Sequence, residues 1–150
     1  MHVVHHAADL ERHRPFVLPV RVYYEDTDAA GVVYYANYLK FIERARTEWL
    51  RAAGFEQTRL LKERGLVFVV RAVQADYLKP ALLDDVLTVV SQVERIGRAS
   101  AVFSQRVRRG EGEHAETLFD AQITVACVDW DRKKSAPIPP DVRDRLEALQ

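Results

Sequence analysis

The period of the apolar residues changes once along this chain, and that change restricts the fold more than any other feature. Between Asn37 and Ala53, the residues Leu39, Ile42, Ala45, Trp49 and Ala53 recur at three- and four-residue intervals and form one stripe. Lys40, Glu43, Arg44, Thr47 and Arg51 fall mostly on the other side. The spacing predicts a long helix, with Asn37 as N-cap and Gly54 placed to end it in a left-handed conformation. After a short connection, with a helical turn expected around Thr58–Arg64, the period drops to two. Val67, Val69, Arg71, Val73, Ala75 and Tyr77 alternate, then Leu87, Val89, Ser91 and Val93. Ala99, Ala101, Phe103, Gln105 and Val107 follow, and then Phe119, Ala121, Ile123, Val125 and Cys127. The joints at Lys79-Pro80, Ile96-Gly97-Arg98 and Arg109-Gly110-Glu111-Gly112 are too short for crossover helices, so the strands are expected to be antiparallel.

A further strand is expected over Phe16–Tyr24, before the helix, and Pro139-Pro140 marks the start of a short terminal helix. The expected class is α+β: a five-stranded antiparallel sheet, one long central helix and a short C-terminal helix. One helix cannot cover such a sheet, so a further subunit is the economical cover for the remaining face and edge.

With 150 residues the chain suits one domain, here expected over residues 16–150. Residues 1–15 are expected to form a flexible segment holding four of the five histidines, His2, His5, His6 and His13. They could chelate a transition metal adventitiously, but no carboxylate or thiolate completes a preorganised set, and no metal site is assigned. The 22 basic residues balance 22 acidic ones, which argues against a nucleic-acid partner. The lone Cys127 excludes a disulfide framework and reads as a small core residue in a reducing compartment. No run approaches the ~18 apolar residues of a membrane span, and no secretory leader is visible, so a cytoplasmic location is expected. A membrane role is limited to peripheral association.

Chemistry concentrates in Glu25-Asp26-Thr27-Asp28-Ala29-Ala30-Gly31, three carboxylates between the first strand and the helix. The D-x-D-x-x-G opening fails as an EF-hand loop. Ala30 and Asn37 occupy positions where ligands are required, and a strand precedes the loop in place of a helix. Asp26 reads as a turn former. Asp28, with Tyr24, Val32, Val33, Tyr34 and Tyr35 as sequence neighbours, is expected to be desolvated, as a catalytic base or nucleophile is; a structural hydrogen-bond hub is the competing reading.

The run RVYYEDTDAAGVVYYANYLKFIERARTEWL resembles the signature of the YbgC-type, Tol–Pal-associated acyl-CoA thioesterases, relatives of the 4-hydroxybenzoyl-CoA thioesterases. The likeness extends through LVFVVRAVQADYLKPALLDDVLTV to ITVACVD, covering most of residues 18–130. It implies a hotdog fold, with the sheet wrapped around the central helix, over residues 16–150. It further implies homodimers that pair sheets side by side and assemble into tetramers, with active sites at the subunit interface. The family's catalytic carboxylate falls on Asp28 and its associated tyrosine on Tyr24. Close YbgC-type members carry His where this chain has Tyr35; the 4-hydroxybenzoyl-CoA branch carries Tyr there.

The implied activity is hydrolysis of acyl-CoA, or of an acyl carrier protein thioester, without a cofactor. Asp28 acts as nucleophile or as general base on water, with the carbonyl polarised by backbone N–H groups at the helix start near Asn37. Tyr24 and Tyr35 join Asp28 as candidate catalytic residues, shaping the acyl pocket and hydrogen-bonding the substrate, with packing as the competing reading. Gly31, Val32, Asn37 and Tyr38 are the candidate substrate-binding residues. The basic residues Arg95, Arg98, Arg106, Arg108 and Arg109, with Arg132, Lys133 and Lys134, suit CoA phosphates or an acidic carrier protein, or form a solvated face. Two rivals stand: a hotdog dehydratase, disfavoured because the helix holds no His, and a non-catalytic acyl-binding adaptor of an envelope complex.

Overall fold

The computed structural model describes residues 14–150, so the four N-terminal histidines and most of the expected flexible segment lie outside the described residues. The element order is β1 (Phe16–Arg21), a 3-10 turn (Tyr24–Asp26), α1 (Asn37–Ala52), α2 (Gln57–Arg64), β2 (Leu66–Tyr77), β3 (Val86–Ile96) and β4 (Ser100–Arg109). A second 3-10 turn (Gly112–His114), β5 (Glu116–Asp129), β6 (Lys134–Ser135) and α3 (Pro140–Ala148) complete it. The sheet order is β1-β3-β4-β5-β2, antiparallel throughout, and the two-residue β6 adds to the end of β5. Pro19 sits in β1, an outermost strand, where a missing N–H is tolerated.

Register shifts at Val70/Ala72, Val93/Arg95 and Val107/Arg108 bend the sheet around α1. The alternating residues of β3, β4 and β5 bury their expected faces, among them Leu87, Val89, Val107 and Ile123. Within that face, the fully buried Gln105 donates to the Ile42 carbonyl and to Ser91 Oγ, both at 2.9 Å, and accepts from Arg46 at 2.8 Å. These bonds satisfy a polar pair in the core and fasten the middle of α1 to the sheet centre.

Three local expectations change. The first strand stops at Arg21, because the Asp26 carboxylate takes the Tyr23 N–H and coils the chain into a 3-10 turn. Leu39 is exposed, and Tyr38, Phe41, Ile42, Ala45, Trp49 and Leu50 form the buried face of α1. At 3.6 residues per turn Leu39 lies about 100° from the Tyr38–Ala45–Trp49 line. In β2 the alternation does not sort inside from outside, since the bulge at Val70/Ala72 resets the faces and no strand among the described residues pairs with its outer edge; Val69, Val70, Val73 and Tyr77 are all exposed. Gly54 closes α1 with φ +97°, as expected.

Candidate active site

The acidic turn lies between β1 and α1 and is braced from below. Val33 N–H donates to the Ala81 carbonyl at 2.8 Å, and Ala81 N–H donates to the buried Tyr38 hydroxyl at 3.0 Å. Ala81 belongs to the segment between β2 and β3. Arg109 holds that segment: it donates to Asp85 at 2.9 Å and to the Pro80 carbonyl at 3.1 Å, and pairs with Glu116 on β5. Arg109 therefore acts as a brace for the turn, engaged by two carboxylates, and not as part of a free basic patch.

Within the turn the two aspartates have opposite environments. Asp26 is 8% exposed, its Oδ2 accepts the Tyr23 N–H at 2.8 Å, and its carbonyl accepts from Asn37 Nδ2 and from the Tyr34 N–H, both at 2.9 Å. Asp28 is exposed, and its Oδ1 accepts the Ala30 N–H at 2.9 Å in a local Asx turn. The expected desolvation of Asp28 is thus absent in the single chain. Of its apolar sequence neighbours Val33 is buried in the core, while the three tyrosines face outward: Tyr24 is 82% exposed, Tyr35 61% and Tyr34 45%. Gly31, at φ +79°, donates to the Asp28 carbonyl at 3.0 Å and turns the chain back, and Val32 bridges to Leu82.

The helix start differs in detail from expectation. Ala36 is the N-cap residue and makes no side-chain bond. Asn37 is the first helical residue; its amide reaches back to Asp26 and its N–H donates to the Tyr34 carbonyl, so it supports the turn. Tyr38 is a core residue, stacked on Phe119 with centroids 5.0 Å apart, and burial pushes its hydroxyl pKa up. Neither side chain stands free to meet a ligand in the single chain.

Tyr77 is the residue that sequence reasoning missed. Its hydroxyl donates to the Tyr35 carbonyl at 2.9 Å, and its ring meets those of Tyr35 and Tyr38 edge-on. It joins the last turn of β2 to the aromatic rim, and burial raises its pKa. The signal available was an aromatic at the strand's end, immediately before the loop that backs the turn and four residues before Ala81. The arrangement offers two exposed carboxylates, Glu25 and Asp28, on one turn, with an aromatic rim and the positive end of a 16-residue helix. Among the described residues no group of three or more His, Cys, Asp or Glu is placed to hold a metal ion.

Comparison with known proteins gives a consistent result. The model of the thioesterase superfamily matches residues 30–116. The acyl-CoA thioesterase YbgC of Haemophilus influenzae is 48% identical over 135 residues, covering 90% of this chain and 96% of that protein. The YbgC acyl-CoA thioesterase of Helicobacter pylori is 45% identical over 134 residues, 86% of this chain and 98% of its own length. Among solved structures, a probable thioesterase from Bartonella henselae superposes with a TM-score of 0.76 at 35% identity, covering 83% of this chain and 99% of that one.

Proposed function

The chain belongs to the thioesterase superfamily, and from that membership we propose that it hydrolyses acyl-CoA thioesters to a free acid and coenzyme A. One observation supports placing the chemistry on the acidic turn: Asp26 is engaged inward, while Asp28 presents its carboxylate on the exposed side of the turn that leads into α1. Two routes use it. The carboxylate attacks the acyl carbon, the C–S bond breaks to release thiolate, and water then opens the mixed anhydride. Alternatively Asp28 takes a proton from water as the water oxygen attacks; the C–S bond breaks and the proton passes to the thiolate. In both, the helix N-terminus favours the negative carbonyl oxygen. An oxyanion donor contributes roughly 3 kcal/mol and a general base about 10²–10⁴-fold.

Among the described residues nothing shelters the Asp28 carboxylate from water, and the reaction calls for such cover. A second copy fits: β2 is an outermost strand of the sheet with Val69, Val70, Val73 and Tyr77 exposed, and pairing two such edges would build one continuous sheet and enclose both turns. Tetramers would follow from pairing such dimers. Tyr24 and Tyr35 line the acyl entrance in this reading, with Gly31 and Val32 shaping its floor. Arg98, Arg132 and Lys133 lie in turns, and Arg95 near the end of β3, at the sheet end away from the acidic turn, so in this reading they would meet the phosphates of CoA bound at the other copy's turn; an acyl carrier protein is the other carrier such a basic end suits. Residues 16–150 act as one unit, in the cytoplasm, where acyl-CoA and a reduced Cys127 coexist.

The test is release of free thiol from a panel of acyl-CoAs, read with a thiol reagent. Steady turnover supports the reading. Acyl-CoA binding with no release would replace it with an adaptor.

A further inference from the structure

A cavity of about 130 Å³ lies along the flank of α1, beyond the acidic turn. Trp49 and Leu50 of α1, Phe68 and Phe103 of the sheet, and Val142 and Leu146 of α3 line it. The polar groups at its margin are tied to one another. Thr47 donates to Glu43 at 2.9 Å and accepts from Gln57 at 3.1 Å, and Arg46 donates to Gln105 at 2.8 Å. What the walls offer a guest is therefore apolar surface. An apolar cavity of about 150 Å³ holds benzene, so this one takes a body on the order of six carbons.

We infer that this cavity receives the far end of the acyl group, and that α3 sets how long that group can be. The inference rests on the thioester hydrolysis proposed above. The same helix whose first residue, Asn37, bonds back to the acidic loop lines the cavity from Glu43 to Leu50, so the direction of α1 leads from the loop toward the cavity. At the far end the wall is made by the terminal helix. Val142 and Leu146 lie one turn apart on its buried face, and the bidentate pair of Arg64 with Asp141, at 3.0 and 2.7 Å, holds α3 against the end of α2. Acyl length would then be read by the last element of the chain, remote in sequence from the carboxylate.

Two substitutions move the wall in opposite directions. Leu146→Ala enlarges the cavity, and Ala101→Leu, at a lining position on β4, fills it. Comparing kcat/KM from butyryl-CoA to palmitoyl-CoA, the preferred length should rise by about three carbons in L146A, the size of the side chain removed, and fall in A101L. A binding readout stands beside it. With Trp130→Phe leaving Trp49 as the sole tryptophan, a non-hydrolysable decyl-CoA thioether should shift its emission and a methyl-CoA thioether should not. Wild-type turnover with an unchanged length profile in both variants overturns the inference, as does an equal Trp49 response to the two thioethers. If L146A does not fold, A101L and the emission experiment decide. Absence of thiol release from every substrate would sink the hydrolytic reading, while the Trp49 response still judges the cavity.

Discussion

Asp26 and Asp28 stand two positions apart and carry the same functional group, yet removing each should break a different property. Asp28→Asn keeps the oxygen that accepts the Ala30 N–H, so the turn stays folded while the base or nucleophile is lost. Thioesterase kcat should fall by roughly a thousandfold with the melting temperature unchanged; an Asn variant that turns over like wild type removes Asp28 from the chemistry. Asp26→Ala strands the Tyr23 N–H beneath the turn, at a cost of about 1–3 kcal/mol, seen as a lower midpoint in urea unfolding. The sequence drew attention to this turn and expected the desolvated carboxylate at Asp28, whereas in the single chain the sheltered one is Asp26. Burial in a turn follows from which N–H groups the coil aims inward, and aromatic sequence neighbours such as Tyr24 and Tyr35 supply no cover when their own side chains face water.

Elements were legible where one face is buried and the other is not. The period-two pattern of β3, β4 and β5 found their inward residues, and Gly54 found the end of α1. The pattern failed in β2, where a bulge resets the alternation, and at Leu39, where the helix stripe was drawn one residue off. Long-range braces were illegible: Arg109 read as one of a run of arginines, because its partners Asp85 and Glu116 are distant or across a hairpin. That brace titrates. Hydrogen bonds from Lys79 and then Arg109 hold the Glu116 carboxyl below its usual pKa. A depressed carboxylate stabilises fully above the unfolded value near about 4.3, and the contribution fades as pH falls through the lower, folded value. Glu116→Gln should therefore melt below wild type at neutral pH, with the gap closing as pH falls below the usual glutamate range. A gap independent of pH would mean that the ion pairs contribute nothing.

For the whole molecule the edge of β2 is the unresolved surface. If two copies join there, Val70→Lys, a charge set at that edge, should leave a folded monomer by light scattering and lower thioesterase turnover with it. The wild-type melting temperature should rise with protein concentration and that of the variant should not. A Val70→Lys protein with wild-type mass places the contact elsewhere. The sequence indicated that cover was missing, since one helix cannot cover five strands, but not which edge lacked it; that depends on strand order, which hairpin joints leave open.

The same strand bears on the life of each newly made chain. Leu66-Val67-Phe68-Val69-Val70 is an uninterrupted adhesive stretch bounded by Arg64 and Arg71, whose charges are the gatekeepers against fibril-like stacking. If two copies join at β2, those two arginines are what separates productive assembly from loss to aggregation until a nascent copy meets its twin, and the amount of usable enzyme then depends on how quickly that meeting occurs.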